Sequence, residues 1–310
     1  MNTVTLHPSI LRAYDIRGIY NQTLSPADAT AIGRAFASCL ANKSLGNKVV
    51  VGRDGRLSSP QLAAALIDGL VDGGANVTNI GCGPTPMLYF AATHLDANGA
   101  IQVTGSHNPP THNGFKMVMD GKSFFGEEIT ELGARCAAGV PSKKGGKCEV
   151  QSIFNEYINR LLQSSDAGDL SVVWDCGNGA SGPVTEAVVR RLTGKHQVLF
   201  SEVDGTFPNH HPNPVDLKTL EILRAAVKSE AADLGIGFDG DGDRIGIIDA
   251  RGRQVPGDLL TAYLAQDVAK RHPGETFLLD IKSSQLALDM LTAAGGDAAI
   301  WKTGHSHMKR

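Results

Sequence analysis

No apolar run in the 310-residue chain approaches the roughly 18 residues that a membrane-spanning helix requires. Nor does the opening stretch, MNTVTLHPSILRAYDIRG, join a basic start to an apolar core, so no secretory signal is expected. The five cysteines, Cys39, Cys82, Cys136, Cys148 and Cys176, are scattered and never take the spacing of a metal knuckle or redox pair. That pattern reads as reduced thiols. Taken together, these absences make the cytoplasm the expected location. A basic excess is also missing. The formal net charge of −3 argues against nucleic acid as the main partner, whereas an anionic small molecule would need only a local basic patch. Low-complexity tracts and short-period repeats are absent as well.

What is present is enough chain for two domains and part of a third. Residues 49–52 (VVVG) read as a short buried strand. Ser59 and Pro60 then read as the cap and first position of a helix whose Leu62, Leu66 and Leu70 share a face. Gly73 and Gly74 stop it. Ser25 and Pro26 open an earlier helix in the same way, with Ile32, Phe36 and Leu40 turned inward. Strands are expected over 77–80 and 100–104. Strands alternating with helices of this length predict an α/β fold of mixed or parallel sheets covered on both faces. The polar, basic PSKKGGK (141–147) reads as a linker edge. A second α/β pattern follows it, with a helix over 153–162, a strand SVVWDC and a helix over 184–192. The strands LGIGF and IGIIDA flank an aspartate-rich loop. A third unit starts after Gly252, with a helix over 259–269 and a strand TFLLDI. The expected domains are therefore 1–150, 151–252 and an incomplete 253–310.

In open α/β sheets, ligands bind beyond the carboxyl ends of the strands. Three loops fall there: GRDGR (52–56), GPTP (83–86) and TGSHNPP (104–110). In the last, Ser106 sits between glycine and histidine on a loop stiffened by paired prolines. A hydroxyl is a weak nucleophile until activated, and His107 and Lys116 are basic groups that would activate it or neutralise a phosphoryl group on it. A tight turn capped by a hydroxyl is the simpler alternative. In FDGDGDRIG (238–246), Asp239, Asp241 and Asp243 alternate with glycines. Three converging carboxylates repel one another unless a cation sits among them. An EF-hand loop needs glycine at its sixth position and glutamate at its twelfth, but Arg244 and Ala250 stand there. The flanks also read as strands, so an EF-hand is excluded and a solvated acidic hairpin remains as the alternative. Few, hard oxygen ligands favour Mg²⁺ with positions open for a phosphate oxygen. Arg244 suits bidentate phosphate binding, with a surface ion pair as its plainer reading. His210 and His211 in FPNHHPNP invite a zinc reading, but no third ligand accompanies them, and a structural or phosphate-facing loop is expected instead. DCGNGASG (175–182) suits anion binding at a helix N-terminus. Without a P-loop lysine or GxGxxG spacing, it gives little support to nucleotide binding.

The ordered set AYDIRG, GRDGR, TGSHNPPTHNGFK, DCGNG, FPNHHPNP, FDGDGDR and KTGHS resembles the α-D-phosphohexomutase superfamily. The NPPxxNGFK form is most similar to its bacterial phosphomannomutase/phosphoglucomutase branch. The resemblance spans essentially the whole chain. It implies tandem mixed-sheet α/β domains around one cleft, and an enzyme that interconverts hexose 1-phosphate and hexose 6-phosphate through a hexose 1,6-bisphosphate. By motif match, Ser106 carries the phosphoryl group, and Asp239, Asp241 and Asp243 hold Mg²⁺ together with an oxygen of phospho-Ser106. Tyr14, Arg17 and Lys116 match cleft residues, Lys282 and His305 match sugar-contacting positions, and His107, Asn108 and Arg244 complete the implied substrate site. His305 or Lys116 is the implied proton acceptor. The family pattern continues beyond KTGHS through a GExSGH-type segment into a fourth domain with a phosphate-binding loop, and neither is in this sequence. A non-catalytic phosphosugar-binding remnant, a phosphatase and phosphoglucosamine mutase are the competing functional expectations. The choice among glucose, mannose and an aminosugar is unreadable.

Overall fold

A computed structural model describes residues 3–163, 165, 168–304 and 308. The first unit runs β1 (Ile16–Ile19), α1 (Pro26–Asn42), β2 (Lys48–Arg53), α2 (Ser59–Asp72), β3 (Asn76–Cys82) and α3 (Thr85–His94). It continues through β4 (Gly99–Val103), β5 (His112–Met119), β6 (Lys122–Ser123), α4 (Glu127–Ala138) and β7 (Lys147–Val150). Its sheet is ordered β1-β5-β4-β2-β3-β7, with β6 on β5. Strands β4, β2, β3 and β7 are parallel, while at one edge β5 pairs antiparallel with β4 and β1 antiparallel with β5. The PSKKGGK stretch is therefore not wholly linker, since its last residue begins β7, whose pairing with β3 keeps the chain in the first sheet through Val150.

Local sequence explains how the helices begin and where they pack. Ser25 and Asp28 form a reciprocal capping box ahead of α1, and Ile32, Phe36 and Leu40 on its inner face are fully or almost fully buried. Helix α2 begins one residue earlier than expected. Ser58 is its cap residue, and the Ser59 hydroxyl instead donates to the Asp54 carboxylate at 2.5 Å. The two helices lie almost backbone to backbone. A Cβ on Gly33 would fall 2.2 Å from the Leu66 carbonyl, and one on Gly69 would fall 2.0 Å from that of Thr30.

The second unit runs α5 (Phe154–Leu162), β8 (Ser171–Asp175), α6 (Gly182–Val189), β9 (Lys195–Leu199), α7 (Glu221–Ser229), β10 (Leu234–Phe238), β11 (Ile245–Asp249) and β12 (Gln254–Val255). Its sheet order is β12-β11-β10-β8-β9, parallel at β10-β8-β9 and antiparallel from β10 to β12. Between the antiparallel β10 and β11 hangs the aspartate loop. The third unit comprises α8 (Gly257–Arg271), β13 (Thr276–Asp280), α9 (Gln285–Ala293) and β14 (Asp297–Trp301), with β13 and β14 parallel. One hydrophobic cluster belongs to two units at once. Met87, Leu88 and Ala91 of α3 pack with Ile153, Tyr157, Ile158 and Val184 of the second unit. No helix among the described residues is long and apolar enough to cross a membrane.

Candidate active site

The parallel strands of the first sheet deliver two loops to one edge: Asp54 to Arg56 after β2, and Thr104 to His107 after β4. Strand β5 returns beside β4, pairing Lys116 with Gln102 and so bringing an ammonium group back to the same edge. From the second unit, the aspartate loop descends onto these residues. A Cβ on Gly240 would lie 2.6 Å from the carbonyl oxygen of Ser106, so the two loops meet backbone to backbone at a position only glycine can fill.

Ser106 is buried and held at φ 51°, a left-handed conformation that costs a non-glycine residue roughly 1–2 kcal/mol. Its amide donates to Thr104 Oγ1 at 2.8 Å, and its hydroxyl donates to Asp239 Oδ2 at 2.8 Å. His107 Nδ1 lies 3.2 Å from the same hydroxyl, while Arg244 Nη1 approaches His107 Nε2 at 3.4 Å. Burial first, then the charges of Arg244, Arg17 and Lys116, push the His107 imidazole down to about 4, so it is neutral near pH 7. With Nε2 accepting from Arg244, the proton sits on Nδ1 and points at Ser106 Oγ. The serine hydrogen is then free to go to Asp239.

Asp239 and Asp241 are fully buried, and ligand atoms of Asp239, Asp241 and Asp243 all lie within 4.8 Å of one another. Asp239 Oδ1 accepts the amides of Asp243 and Arg244 at 3.0 and 3.1 Å. Asp241 Oδ2 accepts from Thr85 Oγ1 at 2.5 Å and from Lys116 Nζ at 2.6 Å, and Lys116 also reaches Asp243 at 2.5 Å. Burial and the neighbouring carboxylates drive the Asp239 carboxyl well above its ordinary range. Burial would do the same to Asp241, but Lys116 and the Thr85 hydroxyl outweigh it and hold Asp241 ionised. Lys116 in turn is kept an ammonium, its desolvation overcome by the three aspartates. One oxygen of the triad, Asp241 Oδ1, is buried with no hydrogen-bond partner. Three hard carboxylates and an orphaned oxygen fit a divalent cation.

Around this centre, Arg17 donates to the Asn108 side-chain carbonyl at 3.1 Å and pairs with Asp15. The structure thus brings together Ser106, His107, Asn108, Arg17, Lys116, Arg244 and the three aspartates. Tyr14 lies further along the cleft, where its hydroxyl donates to the Thr303 carbonyl at 3.1 Å and its ring packs on Gly304. It therefore joins the first unit to the KTGHS loop. Lys282 is exposed at the end of β13, and among the described residues no hydrogen bond or ion pair links it to the Ser106 cluster. His305 lies outside the described residues. Residues that motif reading passed over are Asp54, Arg56, Thr104 and Thr85, all buried. Their only signal was a polar cluster at strand ends.

One loop reading changes, and the other narrows to its structural alternative. The amides of Cys176, Gly177, Asn178, Gly179, Ala180 and Gly182 all donate to protein oxygens, so DCGNGASG offers no free amide cradle for an anion from these residues. The histidine pair also turns inward. His210 Nε2 donates to both oxygens of buried Asp175 at 3.0 and 2.9 Å, and the sole metal-competent cluster among the described residues is the aspartate triad. Burial alone would lower the His210 pKa, but the hydrogen bond and charge of Asp175 more than compensate and raise it. A raised folded-state value stabilises the protein fully below the unfolded value near 6.5, and that stabilisation fades as pH rises through the folded value. His210→Gln should therefore cost about 1–2 kcal/mol in urea unfolding near pH 5.5, and measurably less near pH 8.5. An equal cost at both pH values would remove the ionic part of this pairing.

Residues 8–139 match the family model described as phosphoglucomutase/phosphomannomutase, alpha/beta/alpha domain I, and residues 154–252 match domain II of the same family. The phosphomannomutase/phosphoglucomutase of Pseudomonas aeruginosa PAO1 is 42% identical over 310 residues, covering 99% of this chain and 66% of that protein. A phosphoglucomutase of Neisseria meningitidis serogroup A is 41% identical over 303 residues, with 97% and 66% covered. A crystal structure of a phosphoglucomutase/phosphomannomutase family protein from Burkholderia thailandensis superposes with a TM-score of 0.92 at 38% identity, covering 97% of this chain and 68% of that one. The chain belongs to the phosphoglucomutase/phosphomannomutase family. It spans about 66% of the length of the curated relatives it matches.

Proposed function

We propose that the chain carries the phosphoryl-transfer centre of a phosphohexomutase, with Ser106 as the covalent carrier. The observation that supports this most directly is the Ser106 hydroxyl, 2.8 Å from Asp239 inside a carboxylate triad and ringed by Arg17, Lys116 and Arg244. The names of the relatives at 41–42% identity point to glucose and mannose phosphates as the substrate class. The domains are proposed as 1–150, 151–252 and 253–310, and the cytoplasm as the location.

In this reading, a hydroxyl of a hexose monophosphate attacks the phosphorus of phospho-Ser106. The P–O bond to Ser106 breaks as the bond to the sugar oxygen forms, giving a hexose 1,6-bisphosphate. The sugar turns over, and Ser106 recovers a phosphoryl from the opposite end. Mg²⁺ held by Asp239, Asp241, Asp243 and an oxygen of phospho-Ser106 would supply charge neutralisation for a group of about −1.5 to −2. Lys116, as an ammonium, stabilises the equatorial oxygens of the transferring group rather than accepting a proton. Arg17 and Arg244 hold phosphate oxygens from the open side, with Arg17 fixed by Asp15 and Asn108. His107 donates from Nδ1 to the departing serine oxygen. The acceptor hydroxyl needs a base, and His305 is the residue the motif match nominates. Tyr14, bonded to Thr303, and Lys282 of the third unit are the residues the motif match nominates to contact the sugar.

Intact-protein mass spectrometry after incubation with glucose 1,6-bisphosphate and Mg²⁺ should show a single added phosphoryl group, and excess chelator should suppress it. No uptake under either condition would end the proposal. Uptake followed by release of inorganic phosphate, without sugar phosphate interconversion in a coupled assay, would favour a phosphatase.

A further inference from the structure

The Arg56 side chain is fully buried, yet among the described residues its one ion-pair partner is Asp54, whose Oδ2 faces Nε at 3.2 Å. The rest of the guanidinium is spent on the backbone. Nη1 donates to the carbonyls of Pro109 and His112 at 2.6 and 3.0 Å, and Nη2 donates to those of Ser106 and Asn108 at 2.8 and 2.6 Å. Three carbonyls of the β4–β5 loop and that of the first residue of β5 thus converge on one planar fork. The loop has no regular structure of its own between β4 and β5, so these bonds are its scaffold. From the other side, Asp54 accepts the amides of Gly105 and Arg56 and the Thr104 hydroxyl, and Thr104 in turn accepts the Ser106 amide. Ser106 is gripped at its N–H through Thr104 and at its C=O by Arg56. That grip imposes its left-handed φ.

The second unit closes over the same guanidinium. Phe207, held at a left-handed φ of 52°, places its ring 5.2 Å from Arg56 Cζ, and a Cβ on Gly240 would fall 3.6 Å from that ring. Gly205 backs onto the GRDGR turn, where a Cβ would sit 2.7 Å from Arg56 Cα. The serine loop and the aspartate loop are therefore both referenced to one side chain.

We propose that Arg56 is a positioning residue for phosphoryl transfer: its guanidinium fixes the 106–112 loop so that Ser106 Oγ is presented to the aspartate triad. This rests on the reading of Ser106 as the phosphoryl carrier. Lysine cannot replace it, because one ammonium cannot reach four carbonyls spread across a fork. Gly105 makes the same contact testable without removing the charge. A Cβ there would lie 2.4 Å from Arg56 Cζ and Nε, and Gly105 has no positive φ to confound the change.

The experiment follows phosphoryl uptake onto Ser106 from glucose 1,6-bisphosphate across a donor titration, in unaltered protein, Arg56→Lys and Gly105→Ala. Displacing a reacting group by about 1 Å costs about 10²-fold in rate, so both variants should lose about 10²-fold in the saturated rate with half-saturation changed by less than about threefold. Full rate in Arg56→Lys, or a loss confined to half-saturation, overturns the proposal. Should Arg56→Lys fail to fold, Gly105→Ala alone decides by the same criterion. If the unaltered protein takes up no phosphate, the Ser106 reading has failed. Amide hydrogen exchange over residues 105–112 then tests Arg56 separately: acceleration in the variants supports the scaffold role, and unchanged exchange refutes it.

Discussion

Ser106→Ala protein is expected to take up no phosphate from a hexose 1,6-bisphosphate and to lose at least about 10⁴-fold of any mutase turnover. The size of the effect follows from geometry. The hydroxyl is the one nucleophilic atom lying between the His107 imidazole and the Asp239 carboxylate, at 3.2 and 2.8 Å. A methyl group leaves nothing to form the phosphoester. The fold should survive, because Asp239 keeps the amides of Asp243 and Arg244, while the Ser106 backbone keeps its bonds to Thr104 and Arg56. Circular dichroism and melting within a few degrees of the unaltered protein would confirm that chemistry, not folding, was lost. A phosphoryl adduct of undiminished yield in the alanine variant would place the carrier elsewhere and dismantle the proposed mechanism.

The second large effect concerns stability. Lys116→Met should cost about 3–5 kcal/mol in urea unfolding with chelator present, the usual penalty for leaving a buried charge unpartnered. Lys116 bridges Asp241 and Asp243, and among the described residues it is the one cation paired with two of the three carboxylates. Removing it leaves Asp241 fully buried without its cation, with the Thr85 hydroxyl still donating to it. Added Mg²⁺ should restore much of the loss, because an ion bound only by the folded state stabilises that state by mass action. A cost below about 1 kcal/mol in chelator, or no response to Mg²⁺, would show that the carboxylates are not a charged cluster awaiting a cation.

How much of this was legible in sequence depends on whether a residue's role is local. The Ser25-Pro26 start of α1 and the leucine spacing of α2 are local, and both helices form where the pattern places them, α2 with its cap shifted to Ser58. The aspartates alternate with glycines on one short loop, so their mutual repulsion can be read from spacing alone. The β4 to β5 return was less legible, because an antiparallel strand follows where strand-helix alternation suggests a crossover. GRDGR marked the place of Arg56 but not its task, because its partners are carbonyls, which every residue possesses. Glycine-rich loops mislead for a related reason. DCGNGASG looks like an anion cradle until the acceptors of its amides are traced: three lie within the loop itself, and the others are on β9, on the residue after it and on the aspartate loop.

The seam under α3 bears on how this protein can change over evolutionary time. Nucleophile and triad come from different stretches of chain, and the side chains that fix their spacing, Met87, Leu88 and Ala91 against Tyr157, Ile158 and Val184, are remote from the chemistry. Close-packed interiors tolerate little change in volume, so substitutions on one side of the seam constrain those on the other. A recombination event that swapped residues 154–252 for a cousin's version would inherit every aspartate intact, yet it would set them against a foreign helix face. The two stretches are thus bound to be inherited as a co-adapted pair, through contacts that never meet the substrate.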